Sequence, residues 1–430
     1  MTQAFAEQFA RTRVGGSPPW LTALREQAMA RFGEVGFPTL RDEDWRFTDI
    51  GPVTKASFAT PPAGAAVSAG AIAPFAFGAH EGVRLAFVDG RYDPALSVRP
   101  ALPGGVTAAP LSEILGTPAA ASLLEPRLGT LARAEMTPFV ALNTALFSDG
   151  AVVQVPAGAT VAPVIHLLFV SSGEAAGTMA HLRNLFVLGR GASAKVVEHY
   201  VSLSDGEYLV NAATEVDLGD NAELTHYQVQ RQGPRAFHLA AINARQGRDS
   251  RYHGFSAAIG GRIARNDTRT VFAGPGGECT LNGLYLGRAD QLVDNHTAIE
   301  HREPNCGSRE LYKGILTGRS HAVFNGKVLV TPEAQKTDGK QTNRNLVLSD
   351  GARVDTKPQL EIFADDVKCT HGATVGRLEQ IPLFYLESRG IGPALGQKIL
   401  TYAFAAEMLT GLSIDPVRAQ LEALVAAWLE

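Results

Sequence analysis

Cysteine is scarce in this chain: Cys279, Cys306 and Cys369 are the only three in 430 residues, and no Cys-x-x-Cys occurs. Three thiols in a chain this long do not make a disulfide framework, which points to a reducing compartment. Long apolar runs are missing too; no stretch approaches the 18 or so residues that a membrane span needs. The first residues, Met1 to Val14, carry scattered charges and lack a basic start followed by an apolar run, so an export signal is not expected and the chain reads as cytoplasmic. Charge is modest at 19%, with a net value of -4 and no extended basic run. That gives no reason to expect nucleic acid or an anionic membrane as a partner. Several catalytic signatures are also absent. There is no Gly-x-x-x-x-Gly-Lys-Ser/Thr phosphate loop, no Gly-x-Ser-x-Gly elbow and no His-Glu-x-x-His zinc helix.

With 45% hydrophobic residues the chain has enough apolar material for a large core and two or three domains. The first sixty or so residues look helical. Ser17 stands before Pro18 and Pro19 as a capping residue, Leu21, Leu24 and Ala28 follow at helical spacing, and Gly33 ends the run. Arg41 to Thr48 is dense in charge around Trp45, consistent with a solvated helix start and a packed indole. Thr60 to Pro74 reads as an Ala/Gly/Pro linker, and Val83–Val88 with Tyr92 around Asp89-Gly90 as a hairpin. Helical pieces between Leu123 and Phe147 are interrupted by Pro126 and Pro138.

At Gly150 the character changes. From there to Gly376 short apolar runs are cut by glycine turns, with no convincing amphipathic helix. Gly189-Arg190-Gly191-Ala192, Gly219-Asp220-Asn221-Ala222, Gly274-Pro275-Gly276-Gly277 and Ser349-Asp350-Gly351-Ala352 resemble one another. A strand-and-turn unit repeating at this scale is what a β-solenoid requires, because each coil relies on its neighbours to cover its apolar face. After Gly376 the pattern is helical again. Pro382 to Arg389 forms a short helix closed by Gly390, and a second helix opens at Gly392-Pro393 with Leu395, Ile399, Tyr402, Ala403, Ala406 and Leu409 on one face. A third opens at Asp415-Pro416 with Val417, Leu421, Leu424, Val425, Trp428 and Leu429 in its stripe. Such helices either cap the open end of a solenoid or dock a partner. The expected division is a helical domain over 1–75, a connecting region over 76–149, the β-helix core over 150–376 and a helical domain over 377–430.

Chemistry concentrates in Asp365 to Thr374. Cys369 and His371 are two apart, so in an extended segment both side chains point to one face. A thiolate beside an imidazole begins a site for iron or zinc, but two ligands do not close a coordination sphere. A buried cysteine beside a hydrogen-bonded histidine gives the same pattern. His296, His301, His321 and Cys306 lie in the same third of the chain and could stack near the pair in a solenoid. Each alone is more simply a core or surface residue. The segment Asn282 to Asn345 is rich in polar groups, including Asp294, Glu300 and Glu310. Clustered carboxylates of this kind also suit a polysaccharide-acting β-helix lyase or hydrolase.

Lys368-Cys369-Thr370-His371-Gly372-Ala373-Thr374-Val375-Gly376, followed by Leu383 to Ile391, resembles the closing signature of the SufB/SufD family. Thr331 to Gln341, Pro358 to Ile362 and Arg41 to Thr48 are similar to its other motifs. The Cys-Thr-His form, the chain length and the few cysteines resemble SufD-type rather than SufB-type members. The resemblance implies a mainly β fold, a right-handed parallel β-helix flanked by helical domains. It also implies a non-catalytic scaffold role in the SUF iron–sulfur cluster assembly machinery. The implied partners are SufB, through the solenoid strands, and the SufC ATPase, through the C-terminal helices, with a homodimer when the chain is alone. His371 first and Cys369 second are the implied ligands of a transient iron or iron–sulfur cluster at the SufB interface. No tightly held cofactor is expected in the isolated chain.

Overall fold

The structure is a computed structural model that describes residues 5, 8–10, 17–62, 64, 66–77 and 82–430. Most of the expected helical stretch before Ser17 lies outside the described residues. Among the described residues from Ser17 on, the α-helices are α1 (Pro19–Val35), α2 (Gly51–Lys55), α3 (Ala69–Ile72), α4 (Leu111–Leu115), α5 (Pro138–Leu146), α6 (Gln380–Ser388), α7 (Pro393–Leu409) and α8 (Asp415–Trp428). Between α5 and α6 the chain is all strand and turn, passing alternately from one sheet to the other. It is a β-solenoid of about eight coils. Among the described residues one sheet has ten strands and the other nine. Parallel pairing joins each strand to the one a full coil later, as Met179–Leu188 to Leu209–Leu218 and that strand to Phe237–Gln246.

The recurring glycine turns have a common cause. At one corner the backbone must enter the left-handed region to change sheets, and the residues there are Gly158, Gly191, Asn221, Asp249, Gly276, Asn305 and Lys336, all with positive φ. Each donates its N–H to the next coil: Gly191 to Asp220 O at 2.8 Å, Asn221 to Arg248 O at 2.7 Å, Lys336 to Asp366 O at 2.7 Å. Glycine, asparagine and aspartate tolerate that conformation; at Lys336 it costs roughly 1 kcal/mol, which the ladder must offset. Ser349 to Ala352 is not part of this series. It joins Asp338–Val347 to Arg353–Ile362 at the opposite corner.

Strand periodicity divides the side chains into an inner and an outer set. Near the start the interior is apolar, with Leu85, Phe87, Leu167, Phe169 and Val196 buried. The outer faces are covered by the flanking helices. Ala405, Met408 and Leu409 of α7 and Val417, Leu421, Val425 and Trp428 of α8 pack on Val197, Val229, Phe255, Leu284 and Ile315 of the ten-stranded sheet. Each of the valine, leucine and methionine side chains contributes about 1.5–3 kcal/mol by burial. The C-terminal helices therefore clad a side of the solenoid and do not cap its end. On the nine-stranded sheet, Ala28, Phe32 and Trp45 pack with Leu209, Phe237, Leu239 and Ile263.

The start of the solenoid is closed. In the hairpin Val83–Val88/Arg91–Val98, turning through Asp89 and Gly90 at positive φ, the first strand pairs parallel with Ile165–Ser171 and the second closes the edge of the first sheet antiparallel. Thr107–Pro110 does the same for the second, and α5 is buried along most of its length. Among the described residues the far end has no such cover.

Several local details differ from the reading of the sequence. Pro18, not Ser17, precedes the first turn of α1, with no side-chain cap, and the helix runs through Gly33 to Val35 before Gly36 at positive φ. The stretch from Thr60 to Pro74 contains α3, capped by Ser68 Oγ, which accepts from the Ala71 N–H. On α7 the buried face is Thr401, Ala405, Met408 and Leu409, while Leu395 and Ile399 are exposed.

Candidate functional site at the open end of the solenoid

Cys369 and His371 lie on the last strand, Lys368–Gly376, which pairs on one side with Asp338–Val347 and, among the described residues, has no neighbour on the other. The last strand of the second sheet, Arg353–Ile362, is likewise unpaired on its outer edge. Two parallel edges thus present free backbone groups at the same end, the arrangement that accepts a further strand. The corner before the Cys-x-His strand is pinned firmly. Asp366 N–H donates to Gln335 Oε1 at 2.9 Å, its carboxylate meets Lys336 Nζ, and Lys368 N–H donates to Thr337 O at 2.8 Å.

Both side chains belong to the inner row. Cys369 is half-buried against Val328, Val330, Leu360 and Val367. A methyl group built on Gly339, its partner on the preceding strand, would touch Cys369 Sγ and Ser308 Oγ, each at 3.5 Å. Ser308 Oγ is in turn 2.9 Å from His301 Nε2. Burial pushes the Cys369 thiol up and the Gly339 N–H draws it partly back. His371, one position further along the row, is exposed at the mouth.

Behind the pair the interior is polar. Glu310, Gln341, Asn343 and Asn345 point inward and are buried. Tyr285 Oη donates to Asn345 Oδ1 at 2.5 Å and accepts from Asn343 Nδ2 at 2.9 Å. Burial drives the Glu310 carboxyl up to about 7, with Thr297 and Gln341 opposing the shift.

Other candidate ligands are dispersed. His296 sits on the outer face, 3.1 Å from Asp294 Oδ1; His321, also outward, is 2.7 Å from Asp355 Oδ2. His301 faces inward, its pKa lowered to about 4 by burial. Cys306 is buried at a corner, its thiol raised to about 11, and Cys279 is buried in the interior core, its thiol also raised. Among the described residues no three His, Cys, Asp or Glu groups are placed to hold a metal ion. Cys369 and His371 fit a soft or borderline metal in kind, yet supply only half of a four-ligand sphere. The carboxylates of the polar segment do not share a cleft. Asp294 is held by Arg265 at 2.9 Å and by Thr48, Glu300 by Arg269 and Arg302, and Glu310 lies inside. The N-terminal element seen in the sequence joins this region too. Trp45 is buried beneath the Arg265 guanidinium at 3.7 Å, and Glu43 meets Lys357 at 2.7 Å.

A second surface was not legible as such. Ile381, Phe384 and Tyr385 of α6 and Leu395 and Ile399 of α7 are exposed large apolar residues on adjoining helices. Helical spacing alone could not separate this stripe from the core-facing one. Two apolar faces on α7 were the available signal.

Comparison with known sequences places these features. Residues 169–404 match the family described as "SUF system FeS cluster assembly, SufBD core domain", and residues 3–167 match "SufBD protein N-terminal region". The chain is similar to the iron–sulfur cluster assembly protein SufD of Escherichia coli, 34% identical over 93% of this chain and 91% of that one. It is 33% identical to an iron–sulfur cluster assembly SufBD family protein of Synechocystis, over 94% and 90%. With SufD of Bacillus subtilis it shares 30% identity over 66% and 65%.

Proposed function

Because this chain belongs to the SufBD family of the SUF iron–sulfur cluster assembly system, we propose that it is the scaffold subunit that joins a SufB chain through its open solenoid end. The observation that carries this reading is the coincidence, at one uncovered end, of two unpaired strand edges with a thiol and an imidazole on the inner row. Edge-to-edge pairing would extend both sheets into the partner. Cys369 and His371 would then be this chain's contribution to a site whose other donors come from SufB. Iron or a nascent cluster is the cargo of that site, held transiently between the chains. Without SufB, the same edges pair two copies of this chain.

The exposed apolar surface of α6 and α7 is the docking face for the SufC ATPase, and ATP hydrolysis resides in that subunit. A contiguous apolar patch on helices already anchored to the solenoid suits a protein partner. The assembly works in the cytoplasm. Movement of the ATPase subunits would reach the seam through α7 and the strands beneath it, opening or completing a site split between two chains.

Co-expression with SufB and SufC tests the assignment. The chain should co-purify with both, and a polysaccharide-acting enzyme would capture neither. Recovery of the chain alone from such co-expression would overturn it.

A further inference from the structure

We propose that Gln341 positions the imidazole of His371, and that Glu310 in turn fixes Gln341. Its purpose rests on the reading of His371 as a ligand for the cargo metal, but the geometry stands apart from that reading. The three residues occupy one inward row on successive strands, with Glu310 partnering Gln341 and Gln341 partnering His371 in register. Neighbours in such a row are about 4.8 Å apart, so consecutive side chains are within reach.

Gln341 Nε2 donates to Glu310 Oε2 at 2.7 Å. The other end of the amide, Oε1, is buried and has no hydrogen-bond partner among the described residues. A buried carbonyl oxygen without a donor is costly and calls for one. The next inward side chain toward the open end is His371, whose ring N–H can supply it. Gly326 on the opposite sheet makes the placement possible: a Cβ there would come within 2.3 Å of Gln341 Nε2. The amide is therefore held from two sides, by a carboxylate below and by a glycine-sized gap across. Donation from one ring nitrogen of His371 to Gln341 Oε1 selects one tautomer and leaves the lone pair of the other nitrogen facing the open end. That is how histidines are prepared to bind metals.

The test is a long-range proton–nitrogen correlation spectrum of the full chain labelled in histidine, at pH 8.5 and without metal, with the His371 signals assigned by their loss in His371→Gln. One neutral tautomer should dominate in the native chain. Gln341→Met, which conserves volume, should shift the tautomer ratio roughly three- to tenfold toward equality. Gly326→Ala, which displaces the amide from the other sheet, should weaken the bias as well. A freely exchanging imidazole in the native chain, or a ratio indifferent to both Gln341→Met and Gly326→Ala, overturns the proposal. If the tautomer is fixed yet His371→Ala leaves the iron content of the SufB-containing complex unchanged, the ligand role fails and the positioning role stands. The converse result separates them the other way.

Discussion

Lys313, buried on the outer face of the strand Gly307–Leu316, places its ammonium between the carboxylate of Glu407 and the carbonyl of Phe404, the latter at 3.0 Å. It also lies 4.3 Å over the Phe404 ring. Its pairing with Glu407 is the tighter of two ion pairs of α7 with the solenoid wall, since Arg344 on the next strand approaches the same Glu407 carboxylate at 3.9 Å. Glu407 is half-exposed, so Glu407→Ala, which leaves the buried ammonium with one carbonyl partner, should destabilise by about 2 kcal/mol. Lys313→Met removes the charge as well and should cost only about 1 kcal/mol. Urea unfolding of the two variants checks the order; equal losses would mean that the pair is solvated.

Glu310 gives stability an unusual pH dependence. Its folded pKa, about 7, lies above the ordinary glutamate value of 4.5, so between these values the folded state binds more protons than the unfolded state. Stability therefore falls as pH rises through this window, by about 3 kcal/mol in all for one buried group. Glu310→Gln should be nearly neutral at pH 5 and stabilising at pH 8, measured as the difference from the native chain in urea midpoints at each pH. A difference that does not grow between these two pH values contradicts the assignment.

The buried histidines act in the opposite sense. His181 and His238 are held by burial at about 3, down from the ordinary histidine value of 6.5. Their neutral forms are favoured in the folded state, so stability is complete above pH 6.5 and is lost as pH falls toward 3. His238→Leu should flatten the acid limb of the stability profile while lowering stability at pH 7.5, where its packing against Tyr200 at 4.7 Å is lost. Thermal melts from pH 4.5 to 7.5 report both effects.

The solenoid was legible because its turns impose a backbone requirement that few residues meet: Gly191, Asn221 and Gly276 mark the same corner of successive coils. The Cys-x-His pair was legible through period-two alternation. What surrounds it was not, since Gln341 and His371 are 30 positions apart and become neighbours only once the coil length is known. Glu310 read equally well as one of several surface carboxylates. On α7, Leu395 and Ile399 obey the same helical spacing as Ala406 and Leu409, and only packing separates the two faces.

The exposed face of α6 and α7 should be needed for SufC and dispensable for folding. Ile381 is 82% and Phe384 71% exposed. Replacing both with Ile381→Asp and Phe384→Ser should leave the melting transition close to the native one, since exposed side chains carry little stability. Loss of two anchors at the centre of an apolar contact costs about 2 kcal/mol or more each, enough to abolish co-purification of the ATPase. Retained SufC after this double change would place its docking surface elsewhere.

The edge pair makes the sharpest demand. If His371 and Cys369 each donate to the cargo metal, removal of either should lower the iron and sulfide recovered with the complex, while its subunit composition stays the same. The two losses should differ. His371 stands at the mouth, exposed, and its replacement by Ala removes a donor without opening a cavity. Cys369 is half-buried against Val328 and Leu360, so Cys369→Ser isolates the thiol with the least change in shape. A thiol raised by burial is reluctant to ionise alone, and a bound metal must displace its proton. Iron uptake by the native complex should therefore strengthen as pH rises from 6.5 to 8.5, and Cys369→Ser should remove part of that dependence. Should Cys369→Ser match the native profile while His371→Ala loses the iron, the imidazole is the sole donor from this chain and the thiol serves packing.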